Sequence, residues 1–376
     1  MTALNVMNSS KSGDLEESIL NTKINKEISA SVESEDDKFI VTINKSNRKY
    51  LVGPDGTVTK ITWWRVKENN EKYVTNGKVS LKIGDYIDYD ANSNGEITYT
   101  AKSDKTGITN DQTFSTSYDT GGWRLLDVYY EKDGDHLVLV SNSLIKSTEN
   151  KGLSLREPAG YAYGVDEIKN ISAIYGKGKG SSYARAFEIE DINKITGFNP
   201  LKTGNGMKYG EGTVDEYMNK VTVTVQGGFG PYLVSNSNGQ ETTETYWYFA
   251  YWDENTKSFK NLGSISNKQF EIVNNAYSYN VSKVGLSTSS TEYKLLFGYY
   301  KNFWIATRFE CFRWYGIYNV DDNLSLGPGA TQRHLKQVSG GTFTNTKAIQ
   351  PMVCLESSID LEKDGKKDNF DFWKIR

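Results

Sequence analysis

The stretch Asn302-Phe-Trp-Ile-Ala-Thr-Arg308 opens the densest aromatic run in the chain, continued by Cys311, Phe312, Trp314 and Tyr315. Bulky residues fall on both faces, the alternation is imperfect, and no helix cap or charge ladder accompanies them. Such a run predicts a central β-strand covered on both sides, followed by a partner strand through Tyr318. Only a large folded domain can bury a strand that is apolar on both faces, so this stretch also says where the main core lies.

The surrounding composition points the same way. Aromatics make up 13% of the residues, with 25 Tyr, and there are 34 Gly but only 6 Pro. That is the profile of a β-rich extracellular protein with long ordered loops, not of a helical cytosolic enzyme. A net charge of −3 leaves no global basic field, so nucleic acid is not an expected partner. Two His are too few to suggest a metalloenzyme or a His-based hydrolase. His136 and His334 lie far apart, and neither has a Ser elbow or a Glu/His partner beside it. No run of about 18 apolar residues occurs, so no membrane span is expected. No leader pattern is present, and Met1-Thr-Ala-Leu-Asn5 begins directly in what reads as helix.

Residues 3–31 carry Leu4, Met7, Leu15, Ile19, Ile24 and Ile28 at roughly helical spacing. Strands follow at Lys38–Asn44, Lys49–Val52 and Thr57–Ile61, the last two joined by the turn Gly53-Pro-Asp-Gly56. This order of helix, strand, short strand, Asp55-Gly56 turn and strand resembles the headpiece of type IV pilin-like secreted proteins of Gram-positive bacteria. Residues 62–78 are polar and read as a link or an edge hairpin.

A second region opens at Val79–Tyr89. Further strands are expected at Glu96–Thr100 and Gln112–Ser115, with a Trp123–Tyr129 and His136–Ser141 hairpin turned by Asp133-Gly134-Asp135. Val165, Ile168, Ile171 and Ile174 predict a helix from Gly164 to Tyr175 that ends at Gly176. A second helix, Glu188–Thr196, ends at Gly197. Tyr246–Trp252 and Ile349–Leu355 are later strands. The order of Trp hairpin, two short helices, long loops, aromatic strand pair and closing strand resembles the C-type-lectin fold. More closely, it is similar to secreted Firmicutes domains related to the formylglycine-generating-enzyme and phage variable-protein folds. The matching residues are Ile83–Tyr86, Trp123–Asp127, Ala184–Ala186 with Glu190–Ile192, Phe303–Arg308 and Gln350–Val353. The family places Arg before the Pro of the last motif; here Gln350 replaces it, which removes any salt bridge from that position.

The expected fold is therefore α+β. Residues 1–66 form a pilin-like helix and small antiparallel β-meander, and 67–78 a linker. Residues 79–362 form a β-rich C-type-lectin-like domain with two short helices and long loops, and 363–376 a C-terminal tail.

Several constellations are candidate sites. In lectin folds the long loops before the later strands are the usual ligand surface. Tyr161, Tyr163, Tyr183, Tyr209, Phe229 and Tyr232 sit there among Gly, Ser and Asn, the composition of adaptable binding loops. The competing reading is that these rings pin the loops to the sheet. Asp360, Glu362, Asp364, Asp368 and Asp371 occupy positions one, three, five, nine and twelve of a calcium loop. Lys363, Lys366 and Lys367 favour a solvated turn instead. Asp88, Asp90, Asn92 and Asn94 before Gly95 offer a weaker calcium pattern, which lacks its closing carboxylate and reads as an Asn-Gly turn. Gly176, Gly178 and Gly180 with Lys177 and Lys179 lack a phosphate-loop ending and read as a flexible loop. Cys311 and Cys354 are either one disulfide or two buried thiols. The formylglycine-generating branch uses a thiol pair for copper and oxygen chemistry, which adds a redox reading.

The function expected from these observations is a non-catalytic extracellular or cell-surface adhesion protein. It would take a protein or glycan through Tyr/Gly/Asn-rich loops, with no cofactor unless calcium, and in a pilus-like or homo-oligomeric assembly. A phage structural or receptor-binding protein on the same fold, and a Cys-dependent or carbohydrate-active enzyme, are the alternatives.

Overall fold

The structure is a computed structural model of the 376-residue chain. It describes residues 30–35, 38–43, 48–69, 71–131, 134–149, 151–156, 159–198, strands between 220 and 280, 286–298, 302–311, 314–320, 325–328, 332–333 and 344–376. The helix expected over residues 3–31 lies outside the described residues, apart from Ala30 and Ser31, which belong to a strand.

Strands β2 (Lys38–Ile43), β3 (Arg48–Val52) and β4 (Val58–Ile61) form an antiparallel meander over the expected strands, and β1 (Ala30–Glu35) adds an unexpected fourth strand beside β2. Ile40, Leu51 and Ile61 make its small buried cluster, against which Trp64 and Tyr130 pack. Residues 67–78 are not a free linker. β5 (Trp64–Glu68), β6 (Glu71–Thr75) and β7 (Ser80–Lys82) form a three-stranded antiparallel sheet. It is fastened to the body because Trp63 is fully buried and donates from Nε1 to the Ser357 carbonyl at 3.1 Å.

The central sheet has seven strands. β8 is Tyr86–Ile87, β9 Thr98–Ala101, β10 Gln112–Ser115, β11 Trp123–Glu131, β12 Gly134–Ser141, β13 Leu153–Arg156 and β14 Ser181–Ala186. Across the central sheet the order is β14, β27 (Pro351–Leu355), β12, β11, β8, β29 (Phe370–Ile375) and β28 (Leu361–Lys367). β9 pairs only with β10, and β13 only with β26 (Thr344–Lys347). Every residue of β12 is buried, as befits a strand covered on both faces. β11 carries a bulge between Leu125 and Asp127.

The segment 363–376 is a structural part of this sheet rather than a tail. β29 inserts parallel to β8, and Trp373 is buried with its Nε1 donating to Asp85 Oδ2 at 3.0 Å. Two backbone donors hold the same insertion, Asp371 N to Asp85 Oδ1 at 3.1 Å and Ile375 N to Asp88 Oδ1 at 2.7 Å.

A four-residue helix α1 (Ser103–Thr106) is followed by α2 (Ala159–Ala173), which runs into a 3₁₀ turn at Ile174–Lys177. α2 starts five residues before Gly164 and buries Val165, Ile168 and Ile171 against β13, β14 and β22. α3 (Ile189–Thr196) matches its expected span. Glu188 and Asp191 form a capping box at its start, and Gly197 closes it in the left-handed conformation. α4 (Thr291–Phe297) is capped by Ser290, whose Oγ accepts from Tyr293 N at 3.1 Å.

The aromatic stretch lies at the centre of a second sheet. β22 (Phe303–Cys311) pairs parallel with β20 (Lys268–Asn274) and antiparallel with β23 (Trp314–Val320). β15 (Lys220–Val225) lies beyond β20, while β24 (Ser325–Pro328), β21 (Tyr279–Asn280) and β25 (Gln332–Arg333) complete the β23 side. Residues 303–308 are all buried, as the two-sided pattern requires. This strand does not share a sheet with the Trp123 hairpin and the Pro351 strand. It meets that layer through Ala306 N, which donates to the Phe187 carbonyl at 2.7 Å, and through Thr307 Oγ1, which accepts from Ile189 N at 3.0 Å. The described chain is β-rich with few helices, and β16 (Phe229–Ser235) with β17 (Glu241–Tyr246) and β18 (Ala250–Asp253) with β19 (Ser258–Asn261) are separate two-stranded pairs.

Candidate functional site

The expected binding aromatics are not loop residues where the structure describes them. Tyr161 and Tyr163 lie on α2, Tyr183 on β14, and Phe229 and Tyr232 on β16. Tyr209 lies outside the described residues. The Tyr163 ring is half-buried, with Lys105 Nζ 4.2 Å from its centre. Tyr183 hydrogen-bonds Glu131 and sets its ring edge-on to His136 at 5.5 Å. Its Ser and Gly neighbours suggested a loop; the alternation of Ala184 and Ala186 onto the core makes it a strand.

The calcium pattern falls on a hairpin. Of its five carboxylates, Glu362, Asp364 and Asp371 stand on the two strands of the β28–β29 hairpin, Asp368 is in its turn, and Asp360 precedes it. Each of the first four faces a partner of its own. Glu362 pairs with Arg376, Asp364 with Lys374 at 2.7 Å, and Asp371 with Lys363 at 2.5 Å, while Asp368 accepts from Tyr86 Oη at 2.8 Å. Among the described residues no group of three or more His, Cys, Asp or Glu is placed to hold a metal ion. The Asp88–Gly95 segment is a turn, with Asp90 Oδ1 accepting from Asn92 N at 2.8 Å. The Gly176–Gly180 segment is packed rather than loose. A Cβ on Gly178 would lie 2.2 Å from the Asp90 carbonyl oxygen, so only glycine fits there.

Cys354 is a free, fully buried thiol on β27; the side chain of Cys311 lies outside the described residues. Burial pushes the Cys354 thiol up to about 12, which keeps it protonated and poorly nucleophilic. His136, on the same face of the sheet, is buried with Nδ1 3.2 Å from the Leu355 carbonyl, which places a proton on that nitrogen. Arg185 grips Asp191 through two contacts of 2.7 Å. Burial opposes the Arg185 charge, yet Asp191 holds its pKa above the ordinary value. Gln350 donates to the carbonyls of Ser141 and Leu295 at 3.2 Å each and so ties β12 to α4.

Among the described residues, a cleft of about 460 Å³ lies between the β5–β6 hairpin, the bulged part of β11, α3 and the start of α4. Four cations line it, Arg65, Lys67, Lys72 and Lys194, against two carboxylates, Asp127 and Glu292. Ile83, Leu126 and Ile195 supply apolar surface. The register of the hairpin puts Lys67 directly opposite Lys72 and Glu68 opposite Glu71. Like charges facing each other across strands are destabilising, so this arrangement is not explained by the hairpin's own stability. Arg65 donates to both oxygens of Asp127, and Glu292 Oε1 meets Lys72 Nζ at 2.7 Å. Burial works against the Arg65 charge, but Asp127 raises its pKa above the usual value. Lys67 is exposed and has no carboxylate partner among the described residues. The sequence signal for this wall was the mirror-symmetric run Lys67-Glu-Asn-Asn-Glu-Lys72, which marks a tight hairpin with paired like charges.

Comparison with protein-family models, with curated proteins and with solved structures found no match to this chain. No helix among the described residues is long and apolar enough to cross a membrane.

Proposed function

We propose that this chain is a non-catalytic binding protein, acting outside the cell or at its surface, that takes an acidic sugar of a glycan in the cleft between the β5–β6 hairpin and α3. The observation that carries this reading is the excess of cations over carboxylates in one apolar-floored cleft, with Lys67 and Lys72 directly opposite each other in the hairpin register. Facing lysines become favourable once an anion lies between them. Ile83, Leu126 and Ile195 suit the C–H faces of a sugar ring, and Asp127 has lone pairs left to accept from hydroxyls. A polyanionic peptide would bring few hydroxyl donors and would meet Asp127 and Glu292 as repulsion.

A binding role is supported further by the way the cleft's ionisable groups are tied up. Arg65 with Asp127 and Lys72 with Glu292 are ion pairs rather than a poised acid and base. A lectin-like frame suits the same chain. The described elements keep the order of hairpin, two helices, aromatic pair and closing strand, although the aromatic pair forms its own sheet. An array of acidic and neutral glycans, probed at low and high salt, tests the reading. Retention of uronic-acid glycans that weakens with salt is expected. Equal retention of neutral glycans, or none of any, overturns it.

A further inference from the structure

Within the binding reading, on which this inference rests, we propose that Glu292 is an internal competitor for the ligand. Its carboxylate occupies Lys72 until the acidic group of a sugar takes its place, and it thereby sets which ligands the cleft admits. The contact spans the cleft, from β6 on one wall to the first turn of α4 on the other, with Lys72 Nζ 2.7 Å from Glu292 Oε1.

The two partners differ in how firmly they are held. The Lys72 side chain is 61% exposed, whereas that of Glu292 is 14% exposed. α4 is anchored by the Ser290 cap and by buried Tyr293, Leu295, Leu296 and Phe297. Its start also presses on the chain at Gly84, where an added Cβ would lie 2.4 Å from Thr291 Cγ2. Glu292 is thus a fixed carboxylate, and Lys72 a mobile cation that can turn toward Lys67, its partner across the hairpin. An ion pair with so exposed a lysine is weak and is exchanged readily for another carboxylate. Exchange leaves Glu292 beside the bound acid. The site therefore favours one acidic group per sugar and disfavours dense polyanions, which would place a second charge against Glu292.

The test is calorimetric titration of trigalacturonate, with cellotriose as the neutral probe, into wild type, Glu292→Gln, Lys72→Met and the double variant. Glu292→Gln keeps the size of the side chain, and its thermal melting checks that α4 stays seated. Threefold or tighter binding of trigalacturonate by Glu292→Gln is expected, with cellotriose unaffected and the gain abolished when Lys72→Met is added. Unchanged or weaker binding by Glu292→Gln, alongside saturable wild-type binding of trigalacturonate over cellotriose, overturns the competitor role and leaves the binding reading standing. Absence of binding by both wild type and Glu292→Gln overturns both.

Discussion

Arg65 closes on Asp127 with two parallel hydrogen bonds, Nε to Oδ1 at 2.7 Å and Nη2 to Oδ2 at 2.9 Å. The same Nη2 donates to the Val128 carbonyl at 2.7 Å. β8 covers β11 only at Trp123 and Arg124, so beyond the bulge the guanidinium takes the place of a neighbouring strand. One side chain therefore fixes the hairpin, satisfies a strand edge and shapes the wall of the cleft.

Because the geometry is bidentate, lysine is no substitute. Arg65→Lys and Arg65→Met are both expected to lower stability by about 2 kcal/mol, the range for hydrogen bonds to charged groups. Urea unfolding checks this, and full stability in Arg65→Lys would show that charge alone suffices.

Trp63 tests whether residues 62–78 are a link or part of the body. Its side chain is fully buried and bonded to Ser357. Trp63→Ala is expected to cost about 3–5 kcal/mol, as for large aromatic truncations in a core. A change within about 0.5 kcal/mol would be that of a surface residue and would restore the linker.

Asp135 gives a pH dependence with a defined sign. It is fully buried and accepts from Thr62 N and Trp63 N, both at 2.8 Å. Burial raises its pKa in spite of these donors, so the folded state keeps the proton to higher pH than the unfolded chain does. The stability linked to this group is fully present below the unfolded pKa of about 4 and is lost as pH rises through the folded value. The stability difference between wild type and Asp135→Asn is therefore expected to be larger near pH 4 than near pH 7. Denaturant titrations at the two pH values decide this; a difference that grows toward neutrality would contradict it.

These relationships divide by what a sequence can carry. The Lys38–Ile61 meander, the hairpin through Gly134 and the Gly197 helix end were legible because each is set by local period or a turn residue. The central place of Phe303–Cys311 was legible from its two-sided apolar pattern. The insertion of β29 was not. Phe370, Phe372, Trp373 and Ile375 sit among Asp and Lys without a clean alternation, and their partner β8 is a parallel neighbour almost 300 positions away, a pairing that local pattern does not encode. Tyr183 was misplaced because its Gly and Ser flanks mimic a loop. The cleft joins Arg65 and Lys72 to Lys194 and Glu292, residues far apart in sequence, and only an edge hairpin within 62–78 was legible in advance.

Cys354 is expected to resist thiol reagents in the folded protein, since its sulfur is buried and its pKa stands at about 12. In a Cys311→Ser background, a chromogenic disulfide reagent should label it only after denaturant is added. Rapid labelling of the native variant would mean that the β14–β27 edge opens.

The binding account stands on the cations of the cleft, and Lys67 is the one whose loss should least disturb the fold, being exposed and opposite a like charge. The decisive measurement is calorimetric titration of trigalacturonate into wild type and Lys67→Met at low salt. Saturable binding by wild type, weakened about tenfold (about 1.4 kcal/mol) in Lys67→Met with thermal stability equal to or slightly above that of wild type, is the expected result. Identical isotherms for the two proteins, or none for wild type, would contradict it.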